Sequence, residues 1–261
     1  MVSFFFNNFA AQKIKLLVNL IIDIGNTCVK LVCFDGNNLI DERRIDKDDV
    51  AAFQAFICNY PFVRGIYSSV SEVSPEINEA LATLPFPIME FKSGVTKIPL
   101  KNRYNTPLTL GADRLAAAVG ANYMKPGKNV LIIDIGTCVT FDFVNSNAEY
   151  IGGNISLGPT MRLKALHEFT SRLPLVERKG ELLDLGNSTE TAIRAGVLNG
   201  MKYEIEGYIN VFSAKYPQLF VYLTGGVHLD LQFSEKIPTF ADNFIVPKGL
   251  NRILEYNNEF K

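Results

Sequence analysis

The chain has 261 residues, 48% of them hydrophobic, which is enough for two lobes with a substantial core. Its 26 Lys and Arg balance 27 Asp and Glu to a net charge of −1, and no basic stripe interleaved with aromatics is present, so nucleic acid has no electrostatic footprint here. Four cysteines without a C-x-x-C spacing, and only two histidines (His167 and His228), argue against a Cys/His metal site and a disulfide framework; reduced thiols in a cytoplasmic protein are expected.

Residues 1–17 are apolar only in short pieces, broken by Asn7, Asn8, Gln12, Lys13 and Lys15. That is too short and polar for a membrane span, and it lacks the basic start and cleavage site of a signal peptide, so no membrane association is expected. The segment reads as an extension outside the fold, with Val18 as the encoded start. Next comes an internal repeat. Leu20-Ile-Ile-Asp-Ile-Gly25 recurs unchanged as Leu131-Ile-Ile-Asp-Ile-Gly136, and Thr27-Cys28-Val29 matches Thr137-Cys138-Val139. After each copy a second apolar run ends in a turn signal, Asp35-Gly36-Asn37-Asn38 or Asn145-Ser146-Asn147. Each half therefore opens as a strand, a tight Gly turn and a second strand, unlike the strand–loop–helix of a Rossmann or Walker unit.

Further on, periodicity predicts helices over 46–60, 74–84 (Pro75 in its first turn) and 111–123, with strands over 64–70 and 87–91. Residues 92–110 read as irregular. The second half predicts strands over 150–156, 219–224 and 243–246, and helices over 160–169, 189–212 and 249–256. The alternation implies an α/β fold, with a first lobe over 18–110 and a second over 111–261.

The residues suited to chemistry cluster at the repeated turns. Gly25 lets the backbone approach a ligand, Asn26 and Thr27 offer polar atoms to phosphate, and Lys30 lies on the following strand. Asp23 repels phosphate, so its sensible partner is Mg²⁺, held directly or through water. Asp134 and Thr137 repeat the arrangement, and two such turns could clamp one polyphosphate. Val221-Tyr-Leu-Thr-Gly-Gly226 offers bare backbone where an adenosine could enter.

Together these elements resemble the acetate and sugar kinase, heat-shock chaperone and actin superfamily, which implies a duplicated ribonuclease-H-like fold with ATP in a cleft between two lobes. Gly111-Ala112-Asp113-Arg114 narrows the resemblance to type III pantothenate kinases. So do Asp23-Ile-Gly-Asn-Thr27, Asp134-Ile-Gly-Thr137 with Thr140 and Asp142, the run Gly152, Gly153, Ile155 and Gly158, Leu173-Pro174, and Thr189 to Ala192. The resemblance implies transfer of the ATP γ-phosphate to the primary hydroxyl of pantothenate, at the head of coenzyme A synthesis.

It also implies roles. Asp113 would be the general base; Asp23, Ile24, Gly25, Asn26, Thr27, Cys28, Val29, Lys30 and Thr137 would bind ATP. Tyr104, Gly111, Ala112, Asp113, Arg114 and Thr189 would bind pantothenate, with Arg114 a candidate for its carboxylate. Asp134 would hold a monovalent cation, K⁺ or NH₄⁺, beside the Mg²⁺ of Asp23, and a homodimer would complete the pantothenate pocket. Cys28 and Cys138 stand where small or polar residues are more usual. The alternative is a nucleotide-binding regulator of the same fold without kinase activity.

Overall fold

A computed structural model of the protein describes residues 18–226 and 238–259, so the expected extension over 1–17 lies outside the described residues. The repeat is a structural duplication. In the first lobe β1 (Val18–Ile24), β2 (Val29–Asp35), β3 (Asn38–Ile45), β4 (Phe62–Ser69) and β5 (Ile88–Glu90) form a sheet in the order β3-β2-β1-β4-β5. The first three pair antiparallel, and β4 and β5 run parallel to β1. In the second lobe β7 (Val130–Ile135), β8 (Cys138–Val144), β9 (Glu149–Leu157), β10 (Phe220–Thr224) and β11 (Thr239–Ala241) repeat that order and those directions. A two-residue strand, β6 (Lys101–Asn102), adds to the outer edge of β9.

Local chemistry starts the helices. Asp49 caps α1 (Val50–Cys58) by accepting the Ala52 N–H at 2.9 Å; Ser74 caps α2 (Pro75–Ala82) through Ile77 N–H at 3.2 Å. In the second lobe α4 (Pro159–Glu168) and α5 (Thr189–Lys215) connect β9 to β10, and α5 is capped reciprocally by Ser188 and Thr191.

The equivalent helices α3 (Ala112–Met124) and α6 (Ile245–Asn258) lie between the sheets and cross each other closely. One core spans both lobes here, joining Ile21, Phe34 and Ile66 to Ala116, Leu250, Val130 and Ile132. The crossing depends on glycine: a Cβ at Gly249 would fall 1.8 Å from the Ala116 carbonyl oxygen, and one at Gly120 would fall 2.2 Å from the carbonyl oxygen of Ile245 on α6. A buried polar lattice ties α6 back to the first sheet. Asn19 donates to Asn251 (2.8 Å) and Glu255 (2.6 Å), while Arg64 donates to Asn19 and Glu255.

Two expectations are corrected. Residues 243–246 are not a strand: Ile245 and Val246 open α6, where burial of their side chains outweighs β-propensity and Pro247 is tolerated in the first turn. The edge strand is Thr239–Ala241 instead. Within 92–110, β6 and a 3₁₀ turn over Pro107–Thr109 add order where none was expected. Strand β3 was also not foreseen; its Asp-Glu-Arg-Arg run is polar because the strand is an exposed edge.

Candidate functional site

The two phosphate turns match down to strand register. Asp23, near the end of β1, lies opposite Lys30 on β2 and Ser68 on β4. Asp134, near the end of β7, lies opposite Thr140 on β8 and Thr224 on β10. Each carboxylate thus has a hydroxyl residue on its parallel neighbour; Ser68 donates to Asp23 at 3.5 Å. The copies differ in charge, because Lys30 is replaced by Thr140. The turns also differ in length. Gly25 N–H donates to the Cys28 carbonyl at 3.1 Å, whereas Gly136 N–H reaches that of Cys138, one residue sooner, at 2.9 Å.

Asn26, Thr27 and Thr137 stand exposed at the turn tips, and Cys28 and Cys138 are half-buried behind them. Ile24 and Val29 have side chains in the first lobe's core, so only their backbone can face a ligand. The first turn is buttressed by Ser71, which donates to the Gly25 carbonyl at 3.1 Å and accepts from Lys47 at 2.7 Å. Gly225 of the Thr-Gly-Gly motif, at φ +104°, packs on the second turn; a Cβ there would fall 2.6 Å from an Asp134 carboxylate oxygen.

Asp113 sits in the first turn of α3, where its carboxylate accepts the Arg114 backbone N–H at 2.8 Å. Its field reaches both turns. Burial pushes the Asp23 carboxyl up to about 6, with Lys30 pulling down and Asp113 pushing up. Burial likewise raises Asp134 to about 6, with Asp113 the next cause and Lys30 opposing. Asp113 itself is raised, mainly by burial. Asp113 thus acts electrostatically on both Asp23 and Asp134, with Lys30 opposing it at each, and all three carboxylate residues are partly buried. Among the described residues, no three His, Cys, Asp or Glu side chains converge as a ready-made metal cage. The excess negative charge suits cations that complete their shells with phosphate oxygens or water.

Arg114 is buried at 6% exposure, and its Nε and Nη2 donate to Asp142 at 3.0 and 2.7 Å. Burial would lower the guanidinium pKa, but the hydrogen bonds and charge of Asp142 more than offset it. Beside this pair a cavity of about 450 Å³ is lined by Arg103, Tyr104, Asn105, Thr106, Ile151, Gly152 and Gly153. Tyr104 lies near Arg114 through two intermediates: its ring is 6.1 Å from that of Tyr150, whose hydroxyl donates to Asp142.

Thr189 is not brought to them. It is exposed at the start of α5, where Ser188 provides the cap, and α5 covers the face of Leu131, Ile133 and Phe141. The α3 helix covers the opposite face, with Val130 and Ile132. Sequence reasoning overlooked Ser68, Tyr150 and most of the cavity wall. A signal for Ser68 existed, as a hydroxyl inside the apolar run of β4; Arg103 and Asn105 carried none.

The fold is shared with solved structures at low identity. Component A of (R)-2-hydroxyglutaryl-CoA dehydratase from Acidaminococcus fermentans superposes with a TM-score of 0.53 at 13% identity, covering 94% of this chain and 100% of that one. The activator of 2-hydroxyisocaproyl-CoA dehydratase from Clostridium difficile, solved with bound ADPNP, gives 0.52 at 11% identity, covering 94% and 98%. Sequence likeness is far stronger within one family. The profile of type III pantothenate kinase matches residues 19–211. A type III pantothenate kinase from Phocaeicola vulgatus is 50% identical over 242 residues, covering 93% of this chain and 100% of the relative. One from Bacteroides fragilis is 47% identical over 241 residues, covering 92% and 99%. The chain belongs to the type III pantothenate kinase family.

Proposed function

We propose that the protein transfers the γ-phosphate of ATP to the primary hydroxyl of pantothenate, in the cytoplasm, as the first step toward coenzyme A. The observation that carries this reading is the pair of matched phosphate turns, with Asp23 and Asp134 at equivalent strand positions, in a chain of the type III pantothenate kinase family whose Asp113 stands in the first turn of α3. A base so placed faces an acceptor hydroxyl and a nucleotide polyphosphate together.

Asp113 receives the hydroxyl proton. A carboxylate is too weak to make an alkoxide beforehand, so it orients the hydroxyl and takes the proton late, as a loose phosphoryl-transfer transition state permits. Lys30 offsets phosphate charge, and the tips at Asn26, Thr27 and Thr137 grip phosphate oxygens. Tyr104, Gly111, Ala112 and Arg114 hold pantothenate, with Arg114 taking its carboxylate.

Asp23 would hold Mg²⁺, directly or through water; the ion would neutralise charge on the transferring phosphate. Asp134 has Thr140 where Asp23 has Lys30, so its own hairpin gives it no cation. That asymmetry supports K⁺ or NH₄⁺ as its partner. Thr189 lies across the sheet from α3 in its own chain, which supports a homodimer whose second copy supplies this threonine to the pocket.

The test is a coupled ADP-release assay with ATP, Mg²⁺, K⁺ and pantothenate, sugars or acetate as acceptor. Turnover with pantothenate alone is expected. Turnover with a sugar or acetate but none with pantothenate would overturn the assignment.

A further inference from the structure

Arg114 cannot be a freely mobile cation, because everything around its guanidinium is arranged to fix one edge of it. Asp142 on β8 is 1% exposed. Its Oδ1 accepts from Arg114 Nη2 at 2.7 Å, from Arg114 Nε at 3.0 Å and from the Tyr150 hydroxyl at 2.6 Å; Nε also lies 3.2 Å from Oδ2. Tyr150 is fully buried at the start of β9, and its ring packs 6.1 Å from that of Tyr104, which lines the cavity. Gly153, also in the cavity wall, passes directly over the pair. A Cβ there would fall 2.5 Å from Asp142 Oδ1 and 2.6 Å from Arg114 Nη2. The Nη1 end is the part of the fork that Asp142 does not occupy.

We infer that Asp142 and Tyr150 are positioning residues for the acceptor substrate, acting through Arg114 by holding its Nε–Nη2 edge so that the remaining guanidinium edge receives the substrate carboxylate. This rests on the reading above that Arg114 takes the carboxylate of pantothenate. The physical reason is preorganisation. An arginine on an unrestrained stem loses side-chain freedom when it binds, whereas one clamped by a buried acceptor has already lost it. The paired Asp142 also leaves the fork nearly neutral overall, so recognition depends on hydrogen-bond geometry more than on net charge.

The carboxylate is remote from the hydroxyl that reacts, so loss of the clamp removes binding common to ground and transition states and appears in KM. Asp142→Asn is expected to raise KM for pantothenate about 10-fold, with kcat within about threefold and KM for ATP within about twofold. Tyr150→Phe, which deletes one bond to Asp142, is expected to raise it about threefold. In an Arg114→Lys background, where the fork is gone, Asp142→Asn should add less than about twofold.

A soluble Asp142→Asn enzyme with unchanged KM for pantothenate would overturn the inference. So would a full Asp142→Asn effect in the Arg114→Lys background, because Asp142 would then act independently of the arginine. If Asp142→Asn does not fold, Tyr150→Phe decides alone, and unchanged KM in that variant overturns the inference. Failure of the underlying reading looks different: Arg114→Lys itself would leave KM for pantothenate unchanged.

Discussion

Gly249→Ala tests whether the helix crossing positions the site. In an unconstrained helix the substitution should stabilise by about 1 kcal/mol, because alanine loses less backbone entropy. Here the added Cβ would start 1.8 Å from the Ala116 carbonyl oxygen, a distance that must open to at least 3.0 Å. Both sides of the contact are helix backbone, so no rotamer change relieves it, and α3 and α6 must part. Overpacking of this kind costs about 1–3 kcal/mol. Parting also loosens the packing of Gly120 against Ile245 and Gly249. A net loss of about 2 kcal/mol corresponds to a melting temperature lower by about 4–8 °C for a chain of this size. The shift would displace the first turn of α3, so kcat/KM should fall as well. Gly207→Ala on α5 is the control: its Cβ would meet nothing within 4 Å, and a gain of about 0.5–1 kcal/mol is expected. Thermal unfolding followed by circular dichroism reads both. A Gly249→Ala protein melting at or above wild type would refute the reasoning.

Three further outcomes follow from the site. Asp23 and Asp134 have folded pKa values of about 6 against an ordinary 3.8, so the folded protein binds more protons between those values and loses stability as pH rises through that window. That difference corresponds to roughly 3 kcal/mol, so Asp134→Asn should melt about 6–12 °C higher than wild type at pH 8 without ligands, with the gain gone below about pH 4; no gain at pH 8 would contradict the burial argument. The same variant should be inactive or nearly so, and wild type should lose most of its turnover when K⁺ and NH₄⁺ are replaced by Na⁺ or a bulky organic cation; cation-independent turnover would remove the assigned role of Asp134. Iodoacetamide should inactivate the enzyme by alkylating Cys28 beside the first turn, and ATP should protect that thiol. Exposed Cys58 on α1 should react at the same rate with or without ATP, so mass spectrometry of both sites distinguishes protection from quenching.

What could be read from the sequence was what is local and repeated. The Leu-Ile-Ile-Asp-Ile-Gly hexamers specified two strand–turn–strand starts, and the structure builds two sheets of the same order on them. Gly111 to Arg114 could be placed at the head of α3 because the Ala-rich run over 111–123 reads as a helix. Ile245 and Val246 misled because β-branched residues favour strands, and only packing between the lobes makes them helical. In the Arg114–Asp142–Tyr150 lattice, Asp142 and Tyr150 lie on consecutive strands, but Arg114 reaches Asp142 from 28 residues away on α3, and no spacing rule connects that pair. Thr189 looked like part of one site because its motif lies in sequence order with the others, yet sheet topology puts it across the layer from α3.

The central claim is that Asp113 is the base. Its most direct measurement is kcat of Asp113→Asn with saturating ATP and pantothenate, alongside a melting curve showing that the variant is folded. The substitution keeps the shape of a partly buried side chain and removes its proton-accepting charge. A fall of more than about 100-fold in kcat is expected, the low end of general-base effects. A folded variant turning over at the wild-type rate would contradict the assignment of Asp113 and, with it, the account of the site.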